Sequence, residues 1–357
     1  MIKETKTIGI LGGGQLGMMS AQAAKKIGLN CIIYTPETNS PASSIANETI
    51  VADYLNKNSL KEFASKVDVI SYEFENIPVE TIDYLANLKP VYPEKSLLEV
   101  SQDRIKEKSY LNSINIPTAS WSHPQSPNDI ITTLKEWGDN EAIIKTARFG
   151  YDGKGQERIS TDTDFETLFN TYKDQDLIME KIIDFDYEVS VIIARDKNGK
   201  TATYGPLLNA HKNHILDKTT LPAPIDEKIK EQSIQIANKL AQEIDLIGVL
   251  TVELFVTKQG EILANEIAPR THNSGHLTIE ACEASQFENH VRTVSGLDVA
   301  SAEQHTPAIM INLIGDDILS TKQYEDNPNA TIHNYGKTDV KPGRKMGHVT
   351  ILQPEKK

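Results

Sequence analysis

The run Thr7-Ile8-Gly9-Ile10-Leu11-Gly12-Gly13-Gly14-Gln15-Leu16-Gly17 constrains this chain more than any other segment, because three consecutive glycines close a short apolar strand. Residues 18–27 carry an apolar-periodic pattern that reads as a helix, so the unit is strand, glycine turn and helix. Such a turn lets the backbone reverse sharply and leaves the first helical N–H groups able to meet an anion. Cys31-Ile32-Ile33-Tyr34 and Val67-Asp68-Val69-Ile70-Ser71-Tyr72 read as further strands with helical stretches between them. That alternation predicts a doubly wound parallel sheet covered on both faces, an α/β domain over residues 1–100.

Gly12, Gly14 and Gly17 fit G-x-G-x-x-G, and Glu37 lies twenty residues beyond Gly17, as in dinucleotide sites. The same glycines also serve close packing, or a monophosphate at the helix N-terminus, and the turn alone leaves all three readings open.

At 357 residues the chain suits two or three packed domains, and hence a cleft. Short strands at 142–146 and 177–181 around a helix near 164–172 predict a small α+β lobe over residues 101–185. A larger lobe is expected over 186–300, and the apolar run at 308–313 points to a small β-rich piece over 301–357. A net charge of −13 disfavours nucleic acid and anionic membranes as partners, so an anionic substrate needs a local basic cluster. No apolar stretch approaches the ~18 residues of a membrane span, and the N-terminal residues lack the pattern of a secretory signal. Cys31 and Cys282 form neither a disulfide framework nor paired metal-ligand spacing. A cytoplasmic location is the expectation.

Four further constellations carry chemistry. Gly150-Tyr151-Asp152-Gly153-Lys154-Gly155-Gln156 lies just beyond Lys145, which sits in an otherwise apolar strand. Its N–H groups can cradle a polyphosphate while Lys145 and Lys154 supply positive charge; the plainer reading is a glycine hairpin with a solvated lysine. A two-residue hairpin turn at Gln259-Gly260 would place Glu253 directly opposite Glu266. Two carboxylates facing each other among Val252, Leu254, Ile262 and Ile267 repel, and magnesium removes the conflict; the alternative is a wet hairpin. Strict alternation puts Asn265 on the other face. The strand at 177–183 runs into a connector whose backbone suits an adenine edge, with Glu188 near for a ribose hydroxyl, or is simply a strand with a charged outer face. Last, Arg270 and His272 come directly after the hairpin, and Lys337, Arg344 and Lys345 cluster beside a proline and a glycine, a set able to hold a phosphate monoester and a developing carboxylate.

Five segments in this order, GGGQLG (12–17), YEFENIP (72–78), GYDGKGQ (150–156), NEIAPRTHNSGH (265–276) and RKMGH (344–348), resemble the N5-carboxyaminoimidazole ribonucleotide synthase family, the ATPase-subunit type of phosphoribosylaminoimidazole carboxylase. The resemblance spans nearly the whole chain. It implies an ATP-grasp ligase acting as a homodimer, with an N-terminal pre-ATP-grasp domain, two lobes and a β-rich C-terminal domain.

It further implies ATP held by Arg104, Lys145, Gly150, Tyr151, Asp152, Gly153, Lys154, Gly155, Gln156, Glu180, Lys181, Ile182, Ile183, Glu188 and His211, with Asn265 and Glu266. Magnesium would sit on Glu253 and Glu266. The ribonucleotide would meet Tyr151, Asp152, Arg270, His272, Asn273, Ser274, Lys337, Arg344 and Lys345, with Gln15 and Glu75 from the first domain. In the implied chemistry ATP activates bicarbonate as carboxyphosphate, and the amine of aminoimidazole ribonucleotide takes up the carbon dioxide it releases. Arg270, Lys154 and Lys345 would stabilise charge, and His272, with an ordinary pKa near neutrality, would handle a proton. Two other readings remain: a related ATP-grasp ligase such as formate-dependent glycinamide ribonucleotide transformylase, and a non-enzymatic dinucleotide-binding regulator.

Overall fold

The computed structural model describes residues 5–150 and 154–354, and its strands form three sheets. The first comprises β1 (Thr7–Leu11), β2 (Asn30–Thr35), β3 (Glu48–Val51) and β4 (Val69–Tyr72), all parallel, in the order β3-β2-β1-β4. Its central strands are apolar on both faces because both are covered. Ile8, Ile10 and Ile33 pack against the helix Gln15–Lys26 and against Phe287 and Val291. Leu11, Tyr34 and Ile70 pack the other way, against Phe63, Ile82 and Leu85. The order changes direction at β1, so the carboxyl ends of β1 and β4 border the crevice where α/β sheets bind ligands.

The second sheet holds β5 (Trp121–Ser122), β6 (Glu141–Thr146), β7 (Gln156–Ser160) and β8 (Leu177–Glu180) in the order β5-β8-β6-β7. Ala142 and Ile144 of β6 face a core with Ile130, Leu134, Leu168 and Met179, so alternation turns Ile143 and Lys145 to the opposite face.

The third sheet is antiparallel and contains β9 (Phe185–Arg195), β10 (Thr201–Lys212), β11 (Ile215–Leu221), β12 (Gly248–Thr257), β13 (Ile262–Ala268), β14 (Ala308–Ile314), β15 (Ala330–Asn334) and β16 (Lys345–Leu352). The order is β13-β12-β9-β10-β11-β14-β16-β15. The C-terminal strands therefore extend the large lobe's own sheet through the β11–β14 ladder. The helices Glu227–Glu243 and Arg104–Ser113 cover one face, where Leu111, Ala237 and Leu240 meet Val191, Val252 and Leu254.

The β12–β13 hairpin differs from the sequence expectation in two ways that offset each other. It closes over three residues, with the Thr257 N–H donating to the Glu261 carbonyl and Gly260 at φ +79°, so Leu254 faces Ala264. A bulge then restores the register, and Glu253 does lie opposite Glu266. Asn265 is the extra residue. Ala264 and Ile267 enter the core, while Asn265 and Glu266 both line the cavity, so the strict alternation expected for Asn265 fails at the bulge.

The domain of the first sheet and that of the third meet at Tyr335, which reaches the first sheet's core beside Met19 and Phe287. Its hydroxyl lies 2.8 Å from His348 Nδ1 and 3.3 Å from His276 Nδ1, and the two imidazoles stack with centroids 4.7 Å apart. Burial holds both rings well below the ordinary histidine pKa, so the junction is uncharged.

His290 joins β4 to the helix Gln286–Val294 through Ser71 Oγ at 2.9 Å, and burial lowers it to about 4. The unfolded chain takes up that proton near pH ~6.5, the folded chain only near the lower value, so stability is lost as pH falls through this window. Between pH 7.5 and 5, thermal melting is expected to show the gap between the wild type and His290→Asn narrowing by a few degrees; a constant gap would contradict the buried, neutral ring.

Candidate active site

A cavity of about 560 Å³ lies where the three sheets converge. A larger one of about 760 Å³, beside Gly205, Pro206 and 300–304, contains none of the candidate site residues read from the sequence. The helix Arg104–Ser113, capped by Asp103, points its first turn into the smaller cavity. Arg104 reaches Glu266 Oε2 at 3.4 Å and the Gly150 carbonyl at 3.3 Å, linking the glycine loop to the hairpin. Burial pulls its pKa down, but Glu266 and Glu107 outweigh that and raise it.

Lys145 and Lys108 flank Glu180 at 3.0 and 3.3 Å. Against burial, these ammonium groups hold Glu180 down at about 2, while burial lowers Lys145. Beyond β8 the chain passes through Lys181, Ile182 and Ile183 on the cavity wall, and Phe185 stacks on Phe255 at 4.6 Å. The Lys181 ammonium is taken by Asp139 at 2.8 Å. Glu188 meets His211 Nδ1 at 3.0 Å; burial lowers His211, and the Glu188 carboxylate overrides it upward. A stacked aromatic pair, a connector on the cavity wall and an acid beside it suit an adenosine, and Lys145 with Arg104 suits its phosphates. Gly150, Lys154 and Gln156 line the same space. Gly155 is not on the wall; at φ +71°, an added Cβ would stand 2.7 Å from Thr146 Oγ1. Tyr151, Asp152 and Gly153 lie outside the described residues.

Glu253 and Glu266 face each other with side chains 16% and 41% exposed. Burial first, and Glu266 second, push Glu253 up to about 8. Two crowded carboxylates beside the Asn265 amide form an oxygen donor set that fits a hard divalent cation. Among the described residues no group of three or more His, Cys, Asp or Glu has metal-site geometry, so remaining ligands would come from phosphates and water, as suits magnesium.

At the other end Arg270, largely buried, pairs with Glu75 at 2.5 Å, and against burial this guanidinium holds Glu75 below the carboxylate range. His272 Nε2 lies 3.1 Å from Glu253, and its Nδ1 accepts the Ser274 N–H at 3.3 Å. An N–H can only donate, so the ring proton belongs on Nε2. Burial, then Arg270 and Lys345, lowers His272 well below its ordinary value. The expected proton handling by a near-neutral His272 is therefore corrected: the ring is a neutral donor to Glu253. Ser274 is buried behind it, receiving the Ser190 hydroxyl at 2.7 Å. Gln15, Asn273 and Lys345 line the cavity. Lys337 and Arg344 do not. The Lys337 ammonium donates to the Lys345 carbonyl at 2.7 Å, and Arg344 donates to the Asp339 carbonyl at 3.1 Å. Burial, then Arg344, lowers Lys337 to about 8.

The glycine turn is occupied by the protein itself. Glu73, just past β4, accepts the Gly14 N–H and, at 2.6 Å, the Gly17 N–H. A Cβ on Gly14 would stand 2.7 Å from Glu73 Oε1, so glycine here admits the carboxylate. The dinucleotide reading is thereby corrected, since a pyrophosphate would need the N–H groups that Glu73 holds. Sequence reasoning missed Glu73, Glu107, Lys108, Phe185 and Phe255. For Glu107 and Lys108 a signal existed: both lie one helical turn beyond Arg104, on its face.

Comparison with known proteins places this geometry. Residues 5–102 match the model of the ribonucleotide synthetase pre-ATP-grasp domain, 109–287 the ATP-grasp domain, and 308–357 the phosphoribosylaminoimidazole carboxylase C-terminal domain. The chain is 44% identical to N5-carboxyaminoimidazole ribonucleotide synthase of Brucella melitensis, over 99% of this chain and 98% of that one. To the enzyme of the same name from Bacillus subtilis it is 38% identical, over 98% and 92%. The ADP complex of the Staphylococcus aureus synthetase superposes with a TM-score of 0.92 at 37% identity, covering 99% of this chain and 94% of that one. The Aspergillus clavatus synthase bound to ADP and 5-aminoimidazole ribonucleotide superposes with 0.90 at 28%, covering 98% and 94%.

With Glu73 filling the turn, neither NADH nor NADPH is expected to bind. Titrating the protein into either should leave nucleotide fluorescence unchanged, and saturable enhancement would show that Glu73 yields its place.

Proposed function

The chain belongs to the N5-carboxyaminoimidazole ribonucleotide synthase family, and from that premise we infer how its site carries out the ATP-dependent carboxylation of 5-aminoimidazole ribonucleotide in purine biosynthesis. One observation carries the reading: a single cavity runs from Lys145 and Arg104, past Glu253 and Glu266, to Arg270 and Lys345. Phosphoryl transfer and carboxyl transfer thus share one continuous space.

Adenosine lies against the 181–183 connector and Phe255, with its ribose on Glu188, and Lys145, Arg104 and Lys154 take the phosphates. Glu253, Glu266 and Asn265 would hold magnesium, which neutralises phosphate charge when bound. Bicarbonate attacks the γ-phosphorus, the bond to ADP breaks, and carboxyphosphate forms; Lys145 compensates charge on the transferring group. Carboxyphosphate splits into carbon dioxide and phosphate beside the exocyclic amine. That nitrogen forms the new bond to carbon and gives its proton to the departing phosphate, leaving N5-carboxyaminoimidazole ribonucleotide. Arg270 and Lys345 stabilise the carbamate, and neutral His272 holds Glu253 in place. Water would destroy the intermediate, so the small lobe closes before transfer.

No helix is long and apolar enough to cross a membrane among the described residues. We place the protein in the cytoplasm as a homodimer without nucleic-acid or membrane partners, supported by its acidic charge, its two buried reduced cysteines and the family.

Glu266→Ala is expected to cut ADP release at least about 100-fold at saturating magnesium. Turnover near the wild-type rate would remove the metal assignment. Lys345→Ala should raise the KM for aminoimidazole ribonucleotide about tenfold, or ~1.4 kcal/mol, with the KM for ATP unchanged. Equal KM values for the imidazole substrate in both proteins would displace Lys345 from the site.

A further inference from the structure

β13 is the edge strand of its sheet: among the described residues β12 is its one ladder partner, its outer side meets other backbone where the Ala264 N–H donates to the Pro117 carbonyl at 2.8 Å, and it carries a bulge at the two residues that matter most. Edge strands and bulges leave backbone groups without ladder partners, and buried ones must find them elsewhere. The helix Arg104–Ser113 supplies these. The Lys108 ammonium donates to the Asn265 carbonyl at 3.0 Å and reaches the Ala264 carbonyl at 3.5 Å. The Glu107 carboxyl accepts the Ile267 N–H at 2.6 Å. Both side chains are fully buried. Consecutive helical residues thus grip the strand on either side of Asn265-Glu266, and Lys108 also pairs with Glu180, the partner of Lys145.

We propose that Glu107 and Lys108 are positioning residues of the carboxylation: they fix the bulge that turns Asn265 and Glu266 together toward Glu253, and tie it through Glu180 to Lys145. A bulge can migrate by one residue, and a one-residue slip exchanges the faces of the side chains it passes. Without the grip, Glu266 or Asn265 would turn toward the core. The proposal rests on the reading of Glu253 and Glu266 as a divalent-cation site.

The test compares the full-length wild type with Glu107→Ala, Glu107→Gln and Lys108→Met. Thermal melting first establishes cooperative folding. Calorimetric titration then measures ADP affinity with and without magnesium, and affinity for aminoimidazole ribonucleotide alone. Glu107→Ala and Lys108→Met are expected to lose about tenfold of the magnesium-dependent gain in ADP affinity, with ribonucleotide affinity within about twofold of wild type. Glu107→Gln keeps an oxygen for the Ile267 N–H and should remain near wild type. Should Lys108→Met not fold, the contrast between the two Glu107 variants decides the matter. An undiminished magnesium gain in Glu107→Ala overturns the grip, as does an equal loss of ribonucleotide affinity, the mark of general damage. A wild type whose ADP affinity ignores magnesium overturns instead the cation reading on which the grip rests.

Discussion

Two carboxylates that cannot both be comfortably ionised organise this molecule. Glu253 sits deep enough that burial and the facing Glu266 raise it to about 8, and much of the cavity's remaining charge is arranged around that conflict. His272 offers Glu253 a neutral N–H, and Arg104 offers Glu266 a guanidinium. Removing one buried charge from such a set leaves its partner exposed to a low dielectric, so the site behaves as a unit. On the proposed reading, that tension is what would make a divalent cation with its nucleotide welcome there.

The glycine turn shows the opposite economy. A helix N-terminus that in other α/β proteins binds phosphate is here satisfied by Glu73, a carboxylate of the same domain, and Gln15 and Glu75 line the cavity beyond it. The fold is thus reused while its anion site is internalised.

Much of this was legible in the sequence, for physical reasons that can be named. Buried parallel strands announce themselves as apolar runs, and β1, β2 and β4 do. Lys145 was legible because a lysine in an apolar strand needs a partner; Glu180 is that partner. The facing of Glu253 and Glu266 was reached from the wrong turn, since the three-residue loop and the bulge each shift the ladder by one and cancel. No local pattern encodes a bulge whose backbone is completed by a helix more than 150 residues earlier, where Glu107 meets Ile267 across a separation of 160. The tautomer of His272 was equally hidden, because it depends on a serine amide two residues on and on burial that only the fold creates.

The continuity of the large sheet has a kinetic meaning. Lys345 opens β16, and Glu253 and Glu266 lie on β12 and β13, so one sheet, bulged at both places, carries the residues at the two ends of the cavity. The small-lobe closure proposed above would belong to the separate sheet of β5 to β8 and would change who may enter or leave. On the reading proposed above, the span a short-lived acid anhydride must cross between Glu266 and Lys345 is bounded by side chains of that one sheet.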